Sequence, residues 1–171
     1  MGSPAEQLVA LLKEREGSVA TAESLTAGRV AARITDVPGS SEVYGGGVVS
    51  YWTKVKVDLL GVSDETVDEH GVVSAECARE MALGAQRLLR TTYALSTTGV
   101  AGPDTQEGKP VGTVFVGVAG PDGVEVLPLD LEGDRFEIQA ASVDAALSAL
   151  AGMIAGTISV DGPPTEEPGL G

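Results

Sequence analysis

The chain opens with a helical pattern whose cap is spelled out. Ser3 precedes Pro4, Glu6 stands three residues after the serine, and Leu8, Leu11 and Leu12 form an apolar stripe that Gly17 closes. This is a capping box with proline at the first helical position. Residues 18–23 then read as a short strand, and residues from about 25 to 35 as a helix of small side chains. Pro38-Gly39-Ser40-Ser41 is a loop, and a second strand, 47–51, is entered from the Gly45-Gly46-Gly47 run. A short helix covers roughly 53–60. After an acidic loop, Ser74 caps a long helix to about Arg90, with Met81, Leu88 and Leu89 toward the core. Residues 93–98 form a strand that runs into a glycine loop reaching Pro110.

Two β-rich runs, 112–119 and 124–130, flank Pro121-Asp122-Gly123 and read as a hairpin. Residues 134–158 make a last helix rich in Ala and Leu. Helices alternating with strands, plus one hairpin, predict an α/β domain of three layers, a mixed sheet flanked by helices. Residues 1–160 read as one domain, and 161–171, with three prolines, three glycines and three acids, as a disordered tail.

Composition narrows the function classes. Apolar residues are 43% and charged residues 21%, the profile of a globular chain. With aromatics at only 4%, the core must come from Val, Ala, Leu and Ile, and 23 Gly and 9 Pro serve tight turns. No apolar run approaches the roughly 20 residues of a membrane span, and the N-terminus lacks a signal-peptide pattern. The expected compartment is the cytosol, with no membrane partner. A net charge of −14 repels polyanions, so no nucleic-acid partner is expected. A single cysteine, Cys77, excludes an internal disulfide framework. A single histidine, His70, excludes a His-rich metal centre and leaves a Ser-His-Asp triad only through a residue in the Asp68-Glu69-His70-Gly71 loop. Neither metal nor cofactor is expected. His70 reads as a loop residue, Cys77 as a buried helix residue and Trp52 as packing.

Three segments could carry chemistry. The first is Thr21-Ala22-Glu23-Ser24-Leu25-Thr26-Ala27-Gly28. With a strand ending near Glu23 and a helix opening near Leu25, Ser24 stands where unpaired N–H groups and the positive end of a helix dipole favour an oxyanion. Ala27 and Gly28 keep side chains clear of that backbone. The same position also suits Ser24 or Thr26 as a plain N-cap. A serine nucleophile needs a base, and Lys54 or Lys56, beside the second strand, could serve if burial lowered its pKa; spacing does not choose between them. The second segment is Ser96-Thr97-Thr98-Gly99-Val100-Ala101-Gly102-Pro103-Asp104, a backbone cradle at a strand end and not a Walker loop. The third is Gly133-Asp134-Arg135, where Asp134 can cap and Arg135, placed against the dipole preference, can reach a phosphate or carboxylate.

These segments resemble one family, the C-terminal domain of the competence-damage protein CinA, also found alone as bacterial nicotinamide mononucleotide (NMN) deamidase. The resemblance spans about residues 8–150. It rests on Ala22-Glu23-Ser24-Leu25-Thr26-Ala27-Gly28, Pro38-Gly39-Ser40-Ser41, Tyr51 with Lys56 before Leu59-Leu60-Gly61-Val62, and Gly71-Val72-Val73-Ser74. Further along it rests on Thr98-Gly99-Val100-Ala101-Gly102-Pro103, Lys109-Pro110-Val111-Gly112-Thr113-Val114 and Gly133-Asp134-Arg135. Their joint order along a chain of this length carries it.

The resemblance implies a metal-independent amidase converting NMN and water to nicotinic acid mononucleotide and ammonia, in pyridine-nucleotide salvage. It implies Ser24 as nucleophile, Lys56 as base and Thr26 beside them. Glu23, Ala27, Gly28, Tyr51, Thr98, Gly99, Ala101 and Gly102 would surround the substrate, and Arg135 would meet its phosphate. Backbone N–H groups from Thr26 to Gly28 would hold the oxyanion. Members are often oligomeric, so a homo-oligomer, dimer or trimer, is expected. The N-terminal domain of the longer members, and any nucleotide pyrophosphatase activity, is not expected here. Two departures stand out. The family's Thr-Gly-Gly is Thr26-Ala27-Gly28, harmful if residue 27 needs a positive φ. Gln139 replaces a common arginine, a loss if that arginine holds phosphate. The alternatives are a non-catalytic nucleotide-binding or interaction protein that keeps the pocket, and an amidase for a different substrate.

Overall fold

A computed structural model describes residues 2–158, so the tail expected over 161–171 lies outside the described residues. The first helix, α1 (Pro4–Glu14), starts as its sequence dictates. The Glu6 N–H donates to Ser3 Oγ at 3.2 Å and the Ser3 N–H to Glu6 Oε2 at 2.7 Å. There follow β1 (Val19–Glu23), α2 (Arg29–Thr35), a 3-10 turn Ser40–Glu42, β2 (Tyr44–Val49), α3 (Thr53–Leu60), α4 (Asp64–His70) and α5 (Ala75–Leu89). The chain continues through β3 (Tyr93–Gly99), the hairpin β4 (Thr113–Gly120) and β5 (Gly123–Asp130), and α6 (Arg135–Ala155).

The strands form one mixed sheet in the order β2-β1-β3-β4-β5. β1 runs parallel to both β2 and β3, and β4 is antiparallel to β3 and β5. Helices α1, α2 and α6 cover one face and α3 to α5 the other, which is the expected three-layer α/β domain. The two faces are built differently. Leu8, Leu12, Leu95, Val116, Leu147 and Leu150 fill the α1/α6 side. Toward α5 the sheet presents Ala20, Ala22, Ala94 and Ala119 against Met81 and Leu60. That alanine floor lets α5 lie close to the sheet. A Cβ on Gly117 would come within 2.5 Å of the Ala78 carbonyl oxygen and Ser96 Oγ, so glycine is required there.

Several boundaries differ from the sequence expectation. The acidic segment 64–70 is a helix, because Ser63 Oγ accepts from the Thr66 N–H and Asp64 and Glu65 suit the positive end. His70 therefore ends a helix instead of lying in a loop. The strand expected from Gly47 begins at Tyr44 and takes the glycines into its ladder; a Cβ on Gly47 would overlap the Thr21 hydroxyl. Leu88, expected inside, is 47% exposed. Among the described residues α6 is, contrary to expectation, long and apolar enough to cross a membrane by length and composition. In this fold it is a core helix, with Ile138, Val143, Leu147, Leu150 and Ile154 buried.

The topology creates an opening. The chain leaves β1 toward β2 and leaves β3 toward β4, so the connections diverge at the adjacent C-terminal ends of β1 and β3, the place where α/β sheets bind ligands.

Candidate active site

Ser24 follows β1 directly. Its N–H donates to the Thr97 carbonyl oxygen at 3.0 Å, so the residue is still held by β3 after the strand ends. The chain then turns instead of entering a helix. The Ala27 N–H donates to the Ser24 carbonyl at 3.1 Å, and Ala27 (φ +46°) and Gly28 (φ +90°) are both left-handed. Two successive left-handed residues cannot continue a right-handed helix, which is why α2 begins at Arg29 and not near Leu25. Ser24 is thus on a tight turn, half-buried, rather than on a helix N-terminus.

Lys56, from the first turns of α3, is only 2% exposed. Its Nζ lies 3.0 Å from Ser24 Oγ, 2.7 Å from the Ser50 carbonyl oxygen and 3.5 Å from that of Tyr51. Among the described residues no carboxylate lies within ion-pair distance of it. Burial pulls its pKa below that of an ordinary lysine, against a smaller opposing influence of Cys77 and Glu107. Nζ donates to all three oxygens, two carbonyls and the Ser24 hydroxyl; a neutral amine, with two N–H groups and one lone pair, would keep the carbonyls and take the Ser24 O–H on its lone pair. Lys54, the other candidate, is exposed and pairs with Asp58 at 2.5 Å, which raises its pKa. The fold brings Lys56, not Lys54, to the serine.

Glu23 and Thr26 have turned inward. The Glu23 carboxylate, 1% exposed, accepts from the N–H groups of Val30 (2.7 Å) and Ala31 (3.1 Å) and from Thr26 Oγ1 (2.7 Å). Thr26 Oγ1 also lies 2.7 Å from Thr97 Oγ1 and is fully buried. These side chains tie the Ser24 turn to α2 and β3, and neither lines the cavity beside Ser24. Thr26, expected beside the serine in catalysis, and Glu23, expected against substrate, are thus placed with their side chains behind the turn. Ala27 and Gly28 are also outside the lining.

That cavity has a volume of about 530 Å³, within the roughly 300–1,000 Å³ of small-molecule clefts. Ser24 and Lys56 line it together with Tyr51, Thr98, Gly99, Ala101, Gly102 and Arg135. The Thr98 hydroxyl donates to the Val72 carbonyl at 2.6 Å, fixing the β3 end to the segment before α5. Arg135 spans the mouth, donating to the Gly102 carbonyl oxygen at 2.6 Å and the Tyr51 hydroxyl at 3.0 Å. Both partners are neutral, and among the described residues no carboxylate lies within ion-pair distance of Arg135, although Asp104 lines the same cavity. Sequence reasoning missed Trp52, which is 73% exposed and lines the cavity instead of packing inside, and the backbone of Val72 and Val73. A lone tryptophan between a strand and a helix carried no signal for this.

The backbone around Ser24 also sorts itself. The N–H groups of Ser24 and Ala27 are occupied by carbonyls, which removes Ala27 from the expected oxyanion donors. Among the described residues those of Leu25, Thr26 and Gly28 donate to no protein group.

Fold and site together define a three-layer α/β domain with a buried lysine set against a serine at the ends of parallel strands. The chain belongs to the CinA C-terminal domain family, whose model matches residues 2–154. It is similar to a CinA-like protein of Frankia casuarinae, 47% identical over 149 residues, which cover 87% of this chain and 34% of that protein. It is likewise similar to a putative competence-damage inducible protein of Halothermothrix orenii, 47% identical over 133 residues, 76% of this chain and 32% of that one. The chain therefore spans about a third of the length of these curated relatives. Among solved structures, a competence-damaged protein (CinA) superfamily protein from Klebsiella pneumoniae superposes with a TM-score of 0.87 at 30% identity, covering 90% of this chain and 96% of that one. A competence/damage inducible protein from Agrobacterium tumefaciens gives 0.82 at 35% identity, covering 88% and 95%.

Proposed function

We propose that this domain is an amide hydrolase, with NMN as its substrate, Ser24 as its nucleophile and Lys56 as its base. The observation that carries the reading is the setting of Lys56: a buried amine with two carbonyl acceptors, one serine hydroxyl and no carboxylate. A structural lysine in a core would be expected to hold an ion partner. This one has none among the described residues, and its burial favours the neutral form that can take a proton.

Neutral Lys56 accepts the Ser24 proton as Oγ attacks the carboxamide carbon. The carbonyl oxygen becomes an oxyanion, received by the N–H groups of Leu25 and Thr26. The C–N bond breaks, and the proton held by Lys56 leaves with the nitrogen as ammonia. Water, deprotonated by the same lysine, attacks the acyl-serine and releases the acid. The charge of Arg135 at the mouth suits the phosphate of a mononucleotide, and the pyridinium ring makes the carboxamide carbon more electrophilic. Gln139, at the position where the family commonly has arginine, is buried and bonded to Leu25, outside the cavity lining, so on this reading the phosphate falls to Arg135.

The test is ammonia release from NMN in the presence of a chelator, by the wild-type chain, Ser24→Ala and Lys56→Met. Both variants should fall at least a thousandfold. Because the working form of Lys56 is unprotonated and its pKa is lowered, wild-type kcat/KM should rise with pH and level off below the titration range of ordinary lysine, near 10.4. Ser24→Ala retaining full activity would remove the nucleophile. Binding of NMN without ammonia would point to the non-catalytic reading, and turnover of another amide to a different substrate.

A further inference from the structure

Gln139 sits one turn into α6, 5% exposed, and its Nε2 donates to the Leu25 carbonyl oxygen at 2.9 Å. The Leu25 carbonyl and the Thr26 N–H belong to one peptide unit. In a planar trans peptide these groups point in opposite directions, so whatever anchors the carbonyl also sets the direction of the N–H. The Thr26 N–H is one of three in this turn, with those of Leu25 and Gly28, that no protein group uses among the described residues. The turn as a whole is tied to α2 and β3 through Glu23, Thr26 and the Ser24 N–H, but among the described residues nothing other than Gln139 hydrogen-bonds the Leu25 carbonyl. The orientation of the Leu25–Thr26 peptide is therefore fixed from α6.

We propose that Gln139 is a positioning residue for the oxyanion site: by holding the Leu25 carbonyl it aims the Thr26 N–H at the oxygen that becomes negative when Ser24 attacks. The inference rests on the reading of Ser24 as a nucleophile but not on NMN as the substrate. Gln139 touches neither the cavity nor Lys56. Its loss should therefore slow the chemical step and leave substrate binding and the pH dependence set by Lys56 in place.

Two variants and two assays test it. Gln139→Met keeps the length and apolar packing of the side chain and removes the donor. Gln139→Glu can donate to the Leu25 carbonyl only while protonated, a state that burial extends upward in pH. The first assay is NMN turnover. The second is the rate at which a fluorophosphonate labels Ser24: the Oγ–P bond forms, the P–F bond breaks, fluoride leaves, and Lys56 takes the proton while the phosphoryl oxygen occupies the oxyanion site.

Gln139→Met should lose 30-fold or more in kcat and in labelling rate, with KM within threefold and the pH midpoint unchanged. Gln139→Glu should label fastest relative to wild type at low pH and fall away as pH rises, opposite to the wild-type trend. That comparison is internal to one variant and so survives a general loss of stability. A folded Gln139→Met with kcat and labelling within twofold of wild type overturns the proposal, as does a Gln139→Glu ratio that is flat with pH. Labelling of Ser24 without ammonia from NMN would sink the substrate alone, and Gln139 would still be judged on labelling. A wild-type chain that neither labels at Ser24 nor turns over would sink both.

Discussion

Ala27 is an alanine in a glycine's conformation. Its φ of +46° places Cβ against its own backbone, at a cost of roughly 1–2 kcal/mol for an L-residue. The concern raised by the Thr26-Ala27-Gly28 sequence is therefore met: position 27 does need a positive φ, and the turn around Ser24 carries the strain. Ala27→Gly should stabilise the domain by about 0.5–1 kcal/mol, the relief of strain exceeding the extra freedom of the unfolded chain, as read from urea unfolding. No change, or a loss, would mean that Ala27 is unstrained. Lys56 is the second residue whose stability and function oppose each other. Its folded-state pKa is lowered, so the folded state binds fewer protons than the unfolded state and stability falls as pH drops below the unfolded value near 10.4. Lys56→Met, inactive by the reading above, should consequently be more stable than wild type by about 1 kcal/mol at pH 7, with the advantage shrinking as pH approaches 10. A variant that melts earlier at pH 7 would show that the lysine's hydrogen bonds outweigh its burial. Cys77 needs no such balance. Burial pushes its thiol up to about 12, and on the buried face of α5 it is a packing residue, as its sequence setting had implied.

At the scale of elements, the site depends on how closely α3 approaches α5. Gly84, in the middle of α5, faces the Leu60 carbonyl at the end of α3, and a Cβ there would run into that oxygen. Glycine weakens a helix by about 1 kcal/mol against alanine, so its presence mid-helix needs a reason, and the close crossing provides one. Gly84→Ala should cost about 1–3 kcal/mol and displace α3, carrying Lys56 away from Ser24. Its ammonia release should fall by more than its stability alone explains at a temperature where it is fully folded; undiminished activity would mean that α3 is held from elsewhere. α1, α3, α5, the hairpin and α6 were legible in the sequence because each carries its own local code: a cap, an apolar period, a turn. α2 and β2 were misplaced by a few residues because their limits are set by partners. β2 extends to Tyr44 because β1 pairs that far, and α2 starts late because the turn holding Ser24 must finish first. α4 was lost because Ser63-Asp64-Glu65 reads equally as an acidic loop until the helix it caps is seen.

For the molecule as a whole, a net charge of −14 accompanies a cavity lined by Arg135, which has no ion-pair partner among the described residues. An anionic substrate is repelled at long range and attracted at the end. Arg135→Ala should raise KM for NMN about tenfold with kcat within threefold, the scale of one charge-assisted hydrogen bond. In that variant kcat/KM should also climb as ionic strength goes from about 10 to 200 mM, because the Debye length shrinks from roughly 30 Å to under 10 Å and only repulsion is left to screen. An unchanged KM would move the phosphate elsewhere in the cavity. The sequence by itself determined the layered α/β class, the core of small aliphatic residues, Ser24 and the glycine loop as the place to look, and two lysines of which one could be the base. Those follow from local rules: periodicity, capping and the chemistry of residue types. Residue spacing left Lys54 and Lys56 open and the family resemblance pointed to Lys56; only the tertiary structure put Lys56 beside Ser24, turned Glu23 and Thr26 inward, brought Trp52 to the cavity and set Gln139 behind the turn. Each of these depends on groups far apart in the chain, Lys56 on Ser24 and Gln139 on Leu25. Such distances close only when burial of the two apolar faces of the sheet sets where every helix must lie.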